Sequence, residues 1–375
     1  MPSKFDIVVI GGGLVGAAIA WGATRLGASV ALLDEGDLAF RAARGNFGLV
    51  WVQSKGAGMP PYAHWTRRSA DLWPELAQSL HATTGTDVAL HQPGGLTFCL
   101  SDEEFEQRTA LIQRMHNESG DLGTRMLSRS EVRDMVPGLG DAVVGAAFCP
   151  RDGHASPLQL LRAFHGGMVN NRGIYLPGRT VSAIDAAPNA FTVYCGSERF
   201  AAPKLVIAAG LGSRAIAPMV GLDMPVNPLR GQILVTERVR PLLQHPTHLM
   251  RQTDEGSLML GDSQEDVGFD TSTVPNVFAA IAARNVRVLP ALAEARIVRI
   301  WGALRVMSPD GFPIYDQSAR YPGAFAATCH SGVTLAGAHA LALAPAIMAG
   351  SLPDSLAAFS AARFASGTPQ GLPSH

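Results

Sequence analysis

The first 34 residues contain the pattern that most constrains the fold of this chain. An apolar run, a glycine turn, a helix-compatible run, a second apolar run and an acid follow one another. The first run, residues 7–10, is typical of a buried parallel strand. Gly11, Gly13 and Gly16 have the G-x-G-x-x-G spacing, which allows a tight turn, close approach of N–H groups to a pyrophosphate, and close packing of helix and strand. The pattern predicts a βαβ unit that binds a dinucleotide.

Asp34 closes the second apolar run, residues 29–34, where a carboxylate can accept hydrogen bonds from both ribose hydroxyls. An acid at this position disfavours the 2′-phosphate of NADP. The spacing alone does not separate NAD from FAD. Glycines alone would be weak support because the chain has 40 of them. The alternative is a βαβ unit whose glycines only pack.

Composition excludes several classes of protein. The 375 residues are 47% hydrophobic and carry a net charge of −1, which predicts a substantial core and argues against a nucleic-acid-binding protein. The four cysteines are scattered without a C-x-x-C pair, so no metal or iron–sulfur site is predicted. We recognise no signal peptide and expect a cytoplasmic protein. The apolar run 333–349 is interpreted as a buried helix and not as a membrane span.

The length allows two domains. Apolar strands are predicted at residues 205–210 and 325–328, and a β-rich region begins at residue 226. A helix over residues 62–80 is expected to be interrupted at Pro74. We therefore predict an α/β (α+β) fold, a discontinuous Rossmann-like domain with an antiparallel β substrate domain inserted in pieces. The predicted dinucleotide-binding domain comprises residues 1–80, 145–218 and 302–375, and the substrate domain residues 81–144 and 219–301.

A loop rich in arginine and glycine follows Asp34. Beside a dinucleotide site, its charges and flexible backbone favour further contacts with phosphates. An ordinary basic loop is the alternative. The residues concerned are Arg41, Arg44, Gly45, Asn46 and Gly48.

Four separated motifs occur in order along the chain. They are Gly11 to Gly16 with Asp34, residues 205–210, residues 302–314 and residues 331–335. In this order they resemble the D-amino acid oxidase family of FAD enzymes, which includes glycine oxidase, sarcosine oxidase and D-amino acid dehydrogenase. Residues 44–53 and 329–334 most resemble a narrower group, which contains D-hydroxyproline dehydrogenases, opine oxidase small subunits and one hydrogen cyanide synthase subunit.

The resemblance implies a non-covalently bound FAD, since Cys329 does not lie where sarcosine oxidases place their linking cysteine. A helix N-terminus at residues 331–334 would meet the isoalloxazine ring, and its partial positive charge would stabilise the anionic reduced ring. The implied cofactor-binding residues are Gly11, Gly13, Leu14, Val15, Gly16, Asp34, Glu35, Arg44, Gly45, Asn46, Phe47, Gly48, Leu49, Val181, Ala209, Gly210, Gly302, Ser331, Gly332, Val333 and Thr334.

The implied reaction is oxidation of the C–N bond of a small amino or imino acid, with hydride transfer to flavin N5. A D-hydroxyproline or D-proline dehydrogenase is expected. One alternative is a catalytic or relay subunit of a multi-subunit opine- or glycine-type dehydrogenase, and another is a D-amino acid or sarcosine-type oxidase that uses oxygen. The electron acceptor (a quinone, a partner subunit or oxygen), a homo- or hetero-oligomeric state and attachment to the inner membrane stay open.

Other classes fit the motifs less well. An NAD-dependent dehydrogenase would not explain the motifs around residues 305 and 334. A flavin hydroxylase would carry a Gly-Asp phosphate motif just before the last helix, whereas Gly261-Asp262 comes too early and is interpreted as a hairpin loop.

Among the residues expected to bind substrate, Arg305 matches the arginine that binds the substrate carboxylate in glycine oxidase-like members. The alternative is a structural ion pair with an acid such as Asp310. The family's second carboxylate-binding arginine is missing, because the tract before the last helix reads Thr328-Cys-His-Ser331. His330 in this tract could face the substrate or only hydrogen-bond a carbonyl.

Three residues further upstream are candidates to line the substrate pocket. They are Gln53, Tyr62 and His64, and packing in the core is the alternative for the tyrosine.

Overall fold

The apolar runs form the strands of a central sheet in the computed structural model, which describes residues 3–36 and 42–365 of the chain. Arg41 and residues 366–375 lie outside the described residues. The strands in chain order are β1 (Ser3–Lys4), β2 (Ile7–Ile10), β3 (Val30–Asp34), β4 (Leu49–Val50), β5 (Gly95–Cys99), β6 (Arg125–Ser128), β7 (Gly145–Cys149), β8 (Gly153–His154), β9 (Ile174–Pro177), β10 (Ala183–Ala187), β11 (Ala190–Cys195), β12 (Glu198–Ala202), β13 (Lys204–Ile207), β14 (Asn227–Arg238), β15 (Met250–Gln252), β16 (Ser257–Leu260), β17 (Ile297–Met307), β18 (Ile314–Gln317) and β19 (Ala324–Thr328).

Helices cover much of the remaining chain. The α-helices are α1 (Leu14–Arg25), α2 (Pro60–Thr84), α3 (Asp102–Ser119), α4 (Arg129–Met135), α5 (Pro157–Asn170), α6 (Ser213–Ile216), α7 (Pro275–Val288), α8 (Ala336–Ala338) and α9 (Ala344–Ala349). A π-helical turn, His339–Leu343, joins α8 to α9. Short 3₁₀ segments cover Gly210–Gly212, Ala217–Val220, Pro290–Glu294, Asp354–Phe359 and Ala361–Phe364.

The central sheet has the strand order β18-β19-β13-β2-β3-β9, in which only β18 runs antiparallel to its neighbour. The predicted strand near residue 205 returns to this sheet as β13, beside β2. Side chains alternate across β2, so Ile7 and Val9 pack among the helices while Val8 and Ile10 pack on the other face. Both faces are covered, as a parallel sheet requires, and the predicted Rossmann-like arrangement is confirmed.

A four-stranded sheet, β1-β12-β11-β10, covers the face opposite the helices. Phe191, Val193 and Phe200 of this sheet are buried against Val8 and Ile10. The carboxyl ends of the central parallel strands therefore meet between this sheet and α1, where open α/β sheets bind their ligands.

A separate core lies under the antiparallel sheet β15-β16-β14-β17 and the small sheet β5-β7-β6. Leu96, Leu127, Leu234 and Ile281 from these strands and from α7 are buried together. The predicted domain boundary between residues 301 and 302 falls inside β17, which pairs with β14 from residue 297 to residue 307.

The predicted interruption of the second helix at Pro74 is wrong, because α2 runs from Pro60 to Thr84 without a break. Proline has no N–H to donate to the carbonyl of Ala70, one turn earlier. The side-chain amide of Gln92 donates to that carbonyl instead, with an N–O distance of 3.2 Å. The lost helical hydrogen bond is therefore replaced from outside the helix.

The last helical segment, Ala336–Ala349, is largely buried against α1 and α2, as predicted. Within residues 3–36 and 42–365, no single helix is long and apolar enough to cross a membrane. The segments Ala336–Ala349 and Asp354–Phe364 are long and apolar enough only when they are taken together, and the chain bends by 111° between them.

Candidate active site

Two cavities meet at Ala42, Asn46 and His330, which line both of them. We call the one around Gly11, Gly13 and Asp34 the fingerprint cavity and the one around Arg305 the arginine cavity. They enclose about 1310 Å³ and about 1270 Å³, each including some open solvent. The fingerprint cavity lies at the carboxyl ends of β2 and β3, and the adjacent arginine cavity is lined by residues of β14 and β17.

The glycine turn between β2 and α1 packs closely against neighbouring backbone. Gly11 has a φ of +108°, and a Cβ there would lie 2.3 Å from the carbonyl oxygen of Ala208. A Cβ on Gly16 would lie 1.9 Å from the carbonyl oxygen of Gly11. Gly13 caps α1 and faces open space, since a Cβ there would meet nothing closer than 4.0 Å. The N-terminus of α1 therefore opens into the fingerprint cavity, where a pyrophosphate fits.

Asp34 lies at the end of β3, in the lining of the fingerprint cavity. Its carboxylate oxygens accept hydrogen bonds from the N–H of Gly12 at 2.7 Å and from the N–H of Gly36 at 2.8 Å. Glu35 and Val181 line the same end of the cavity. An acid at the end of this strand fits the ribose of a dinucleotide.

Two loops that line the arginine cavity are fixed to each other by hydrogen bonds. The Thr334 hydroxyl donates to the carbonyl of Leu49 at 3.0 Å and accepts from the N–H of Trp51 at 3.2 Å. Arg251 donates to the carbonyl of Phe47 from the opposite side. The backbone that would face a flavin is therefore held rigid by side chains that are distant in sequence.

Most of the implied cofactor-binding residues line one of the cavities. Those in the fingerprint cavity are Gly11, Gly13, Leu14, Val15, Asp34, Glu35, Asn46, Val181, Ala209, Gly210 and Gly332, and those in the arginine cavity are Gly45, Asn46, Phe47, Leu49, Ser331, Val333 and Thr334. Glycines and backbone donors from distant parts of the chain therefore line both cavities.

Four implied cofactor-binding residues lie outside both linings. Gly16 packs on Gly11, and a Cβ on Gly48 would lie 2.5 Å from the carbonyl oxygen of Ala155, so both shape the backbone. Gly302 lies in β17 under residues 271 and 272, and Arg44 is exposed. These four residues do not line either cavity in the structure.

Arg305 lines the arginine cavity from β17, with 23% of its side chain exposed. Its guanidinium forms an ion pair with Asp262 and donates to the carbonyl of Ser263 at 2.8 Å. The alternative partner, Asp310, is instead paired with Arg363 at 2.7 Å. The ion pair that was the alternative for Arg305 is therefore present, but the loop at residues 261–262 supplies the acid and Asp310 does not.

Two cations that sequence reasoning missed also line the arginine cavity, Lys55 and Arg108. The Lys55 ammonium lies 3.1 Å from His330 Nε2, and the same nitrogen lies 3.2 Å from the Ser331 hydroxyl. Burial lowers the pKa of Lys55 to about 8, and repulsion by Arg305 contributes to this shift. The sequence signal for Lys55 was its position two residues after the motif at residues 44–53.

Gln53 does not line either cavity and is 2% exposed. Its amide donates to Asp152 at 2.7 Å and to the carbonyl of Gly95 at 3.1 Å, and its carbonyl accepts from Thr97 at 2.8 Å. Burial raises the pKa of Asp152 to about 7 against the opposing effect of these N–H donors. The structure does not show the predicted substrate contact of Gln53. Its side chain instead anchors the backbone just before Lys55.

We expect Gln53→Met to lower the free energy of unfolding by about 2–3 kcal/mol, because it leaves buried partners unsatisfied. If Gln53 only anchors the loop, the limiting rate of flavin reduction should change less than about threefold, an effect below about 1 kcal/mol. Chemical denaturation and anaerobic stopped-flow absorbance would measure the two effects. A large loss of rate with unchanged stability would show that Gln53 contacts the substrate.

Tyr62 and His64 also lie outside the cavity linings. Tyr62 is buried among Phe312 and Phe359, and its hydroxyl donates to Ser331 at 3.1 Å. His64 is exposed on α2. The core-packing alternative for the tyrosine is the one that the structure shows.

Among the described residues, no group of three or more His, Cys, Asp or Glu side chains is arranged to hold a metal ion.

Comparison with known proteins gives the same assignment as the geometry. Residues 6–346 match the family model described as FAD dependent oxidoreductase, abbreviated DAO. An opine oxidase subunit of Agrobacterium tumefaciens (strain Ach5) is 44% identical over 363 residues, covering 96% of this chain and 98% of the relative. The hydrogen cyanide synthase component HcnC of Pseudomonas aeruginosa is 27% identical over 416 residues, covering 97% of each chain. Both relatives lie in the narrower group that the sequence motifs indicated.

A solved structure has the same fold. Glycine oxidase from Geobacillus kaustophilus superimposes with a TM-score of 0.88 and 23% identity, covering 96% of this chain and 98% of the other. The lining of the fingerprint cavity, the family match and the fold agree, and FAD is the cofactor. The chain therefore belongs to the D-amino acid oxidase family of FAD-dependent oxidoreductases.

Proposed function

We propose that this chain oxidises the C–N bond of a small amino or imino acid that binds through its carboxylate to Arg305. The observation that carries the proposal is the position of this guanidinium. It lines the same cavity as the loops at residues 45–49 and 331–334, which would hold the flavin. A substrate on Arg305 would therefore lie between the guanidinium and the flavin loops.

Arg305 would position the substrate through two charge-assisted hydrogen bonds, each contributing roughly 1.5–3 kcal/mol. A carboxylate fixed in this way determines which Cα–H faces the flavin loops. The bound flavin supplies the chemistry by accepting a hydride. The substrate amine must be neutral when the hydride leaves, and no side-chain acid–base pair is required for the transfer itself.

Non-covalent attachment of FAD is part of the proposal. Cys329 is the one cysteine in the lining of either cavity within the described residues. Burial raises the pKa of its thiol to about 12, so it is protonated at neutral pH and is a poor nucleophile.

The finer assignment concerns the substrate and the assembly. A D-hydroxyproline or D-proline dehydrogenase is one candidate. The 44% identity to an opine oxidase subunit favours the other, a subunit of an opine-type flavin dehydrogenase, with the electrons passing to a partner subunit, a quinone or oxygen. We place this activity in the cytoplasm.

A substrate panel tests the proposal. The FAD-loaded protein should be yellow, and an anaerobic amine substrate should bleach its flavin band. The panel should contain D-proline, cis-4-hydroxy-D-proline, glycine, N-methylglycine and an arginine-derived opine. Bleaching by the opine alone would select the opine-type activity, and a protein that binds no FAD would refute the enzyme assignment. Turnover of the isolated chain with an artificial acceptor would separate a catalytic subunit from a relay subunit.

Gly231 offers a test of the Arg305 position that spares the fold. A Cβ on Gly231 would lie 2.5–2.6 Å from the guanidinium atoms of Arg305, the movable end of a flexible side chain. We expect Gly231→Ala to displace the guanidinium and raise KM about tenfold or more, with stability changed by less than about 1 kcal/mol. Steady-state kinetics and thermal unfolding would measure this. In the Arg305→Met background the same substitution should have no further effect on KM, and an additive effect would contradict the mechanism.

A further inference from the structure

The lining of the arginine cavity contains more positive charge than one carboxylate can neutralise. Lys55, Arg108 and Arg305 line it, and Asp262 is the one carboxylate among its described lining residues. Asp262 is already paired with Arg305. Neither Lys55 nor Arg108 forms an ion pair with any carboxylate in residues 3–36 and 42–365. A substrate with a single carboxylate on Arg305 would leave these two cations uncompensated.

Lys55 is held in place although it has no acidic partner among the described residues. Its N–H donates to the carbonyl of Val52 at 3.1 Å, and the backbone just before it is fixed by Asp152. Its ammonium donates to His330 Nε2 at 3.1 Å. His330 is in turn in contact with the Ser331 hydroxyl, which accepts from Tyr62. A partly buried chain of hydrogen bonds therefore holds the ammonium beside His330, which lines both cavities.

The charges of Lys55 and Arg305 act on each other across this cavity. Burial lowers the pKa of Lys55 most, Arg305 lowers it further, and Cys329, Asp262 and Asp152 raise it. Like charges in a partly buried cavity repel each other, and an anion bound between them reduces that repulsion. An anion bound to Lys55 would have this effect, whereas a neutral group there would not.

We infer that Lys55, braced by His330, binds a second carboxylate of the substrate, so that the cavity selects a secondary amine flanked by two carboxylates. The inference rests on the proposed function, because it places the first carboxylate on Arg305. It assigns to Lys55 a role in specificity, since its ammonium would contact the substrate at the end remote from Arg305. A dicarboxylate would be favoured over proline-type substrates on this basis.

A matched pair of unreactive ligands tests the inference on the FAD-loaded protein. Glutarate has the chain length of a secondary amine between two carboxymethyl groups, and pentanoate replaces one of its carboxylates by a methyl group. We expect glutarate to bind at least about tenfold more tightly than pentanoate. Calorimetry and the perturbation of the flavin absorbance would give both dissociation constants.

Variants assign the preference to Lys55. Lys55→Met should abolish the advantage of glutarate and change pentanoate binding little, whereas Lys55→Arg should retain most of the advantage. His330→Leu removes the brace and should reduce the advantage. Lys4→Met, an exposed change of the same kind on β1, should leave both dissociation constants unchanged. If Lys55→Met does not take up FAD, the glutarate advantage measured in Lys55→Arg and His330→Leu still tests the role of Lys55.

The pH dependence provides a second readout. Lys55 is charged below its pKa of about 8 and faces His330, Arg305, Cys329, Asp262 and Asp152. The ratio of the two dissociation constants should be constant between about pH 6 and 7, where the carboxylates are ionised and Lys55 is charged. Above pH 8 the glutarate advantage should fall about tenfold per pH unit, because the neutral amine no longer attracts the second carboxylate. Lys55→Met should show no such decline.

The outcomes separate this inference from the proposed function. Equal binding of glutarate and pentanoate by the wild-type protein, or an advantage that persists in Lys55→Met, would overturn the inference. An equal weakening of both ligands in Lys55→Met would also overturn it and would place Lys55 against the flavin. If the glutarate advantage depends on Lys55 but no amine bleaches the flavin, the inference about the cavity stands and the proposed oxidation fails.

Discussion

Replacing Arg305 by methionine should lower kcat/KM for the carboxylate substrate by about 10²–10⁴-fold, through the loss of about two charge-assisted hydrogen bonds. Most of the loss should appear as a higher KM, because the guanidinium contacts the carboxylate in both the ground state and the transition state. Anaerobic stopped-flow measurement of flavin bleaching over a range of substrate concentrations would separate binding from hydride transfer.

The control for this variant lies on the same strand. Arg299 is exposed on β17, and Arg299→Met removes the same charge and a similar volume without touching the arginine cavity. Its kinetics should match those of the wild type within about twofold, an effect below about 0.5 kcal/mol. If Arg305→Met bleached as readily as the wild type at low substrate concentration, Arg305 would be a structural partner of Asp262 and not a substrate-binding residue.

Gly16→Ala should destabilise the FAD-free protein by about 3 kcal/mol or more, and the protein should take up little FAD. The added methyl group would lie 1.9 Å from the backbone carbonyl oxygen of Gly11, so α1 would have to move away from β2. Thermal unfolding of the apoprotein and the flavin absorbance after reconstitution would measure the two effects.

Gly13→Ala is the matched comparison three residues earlier in the same turn. Its methyl group would meet nothing closer than 4.0 Å, so the apoprotein should unfold within about 1 kcal/mol of the wild type. FAD binding should nevertheless weaken, because the methyl group would project toward the space predicted for the pyrophosphate. Equal destabilisation of the two apoproteins would contradict this division between packing and phosphate contact.

Features that depend on neighbouring residues could be predicted from the sequence. The turn Gly11–Gly16, the strands on either side of it and the return strand near residue 205 all follow from local spacing and apolar runs. Local steric and hydrogen-bonding rules act within a few residues, so a linear pattern is enough to identify them. Arg305, in contrast, was identified by family resemblance, because it lies within the motif at residues 302–314.

Features that depend on distant residues could not be predicted. Residue type predicts a break in α2 at Pro74, and only the structure shows that Gln92 supplies the missing donor. Sequence reasoning assigns Gln53 to the substrate. In the structure its side-chain amide instead donates a hydrogen bond to Asp152, 99 residues later. Residue type alone does not indicate which partner satisfies a buried polar group, because the partner comes from another part of the chain.

The sequence by itself determined a dinucleotide-binding βαβ unit, the D-amino acid oxidase family and the arginine expected at the substrate. Only the tertiary structure decided which charges meet there. Asp262, interpreted as part of a loop, pairs with Arg305, and Lys55 lies against His330, 275 residues later. Folding brings these side chains into one cavity, where electrostatic interactions depend on distance in space and not on separation along the chain.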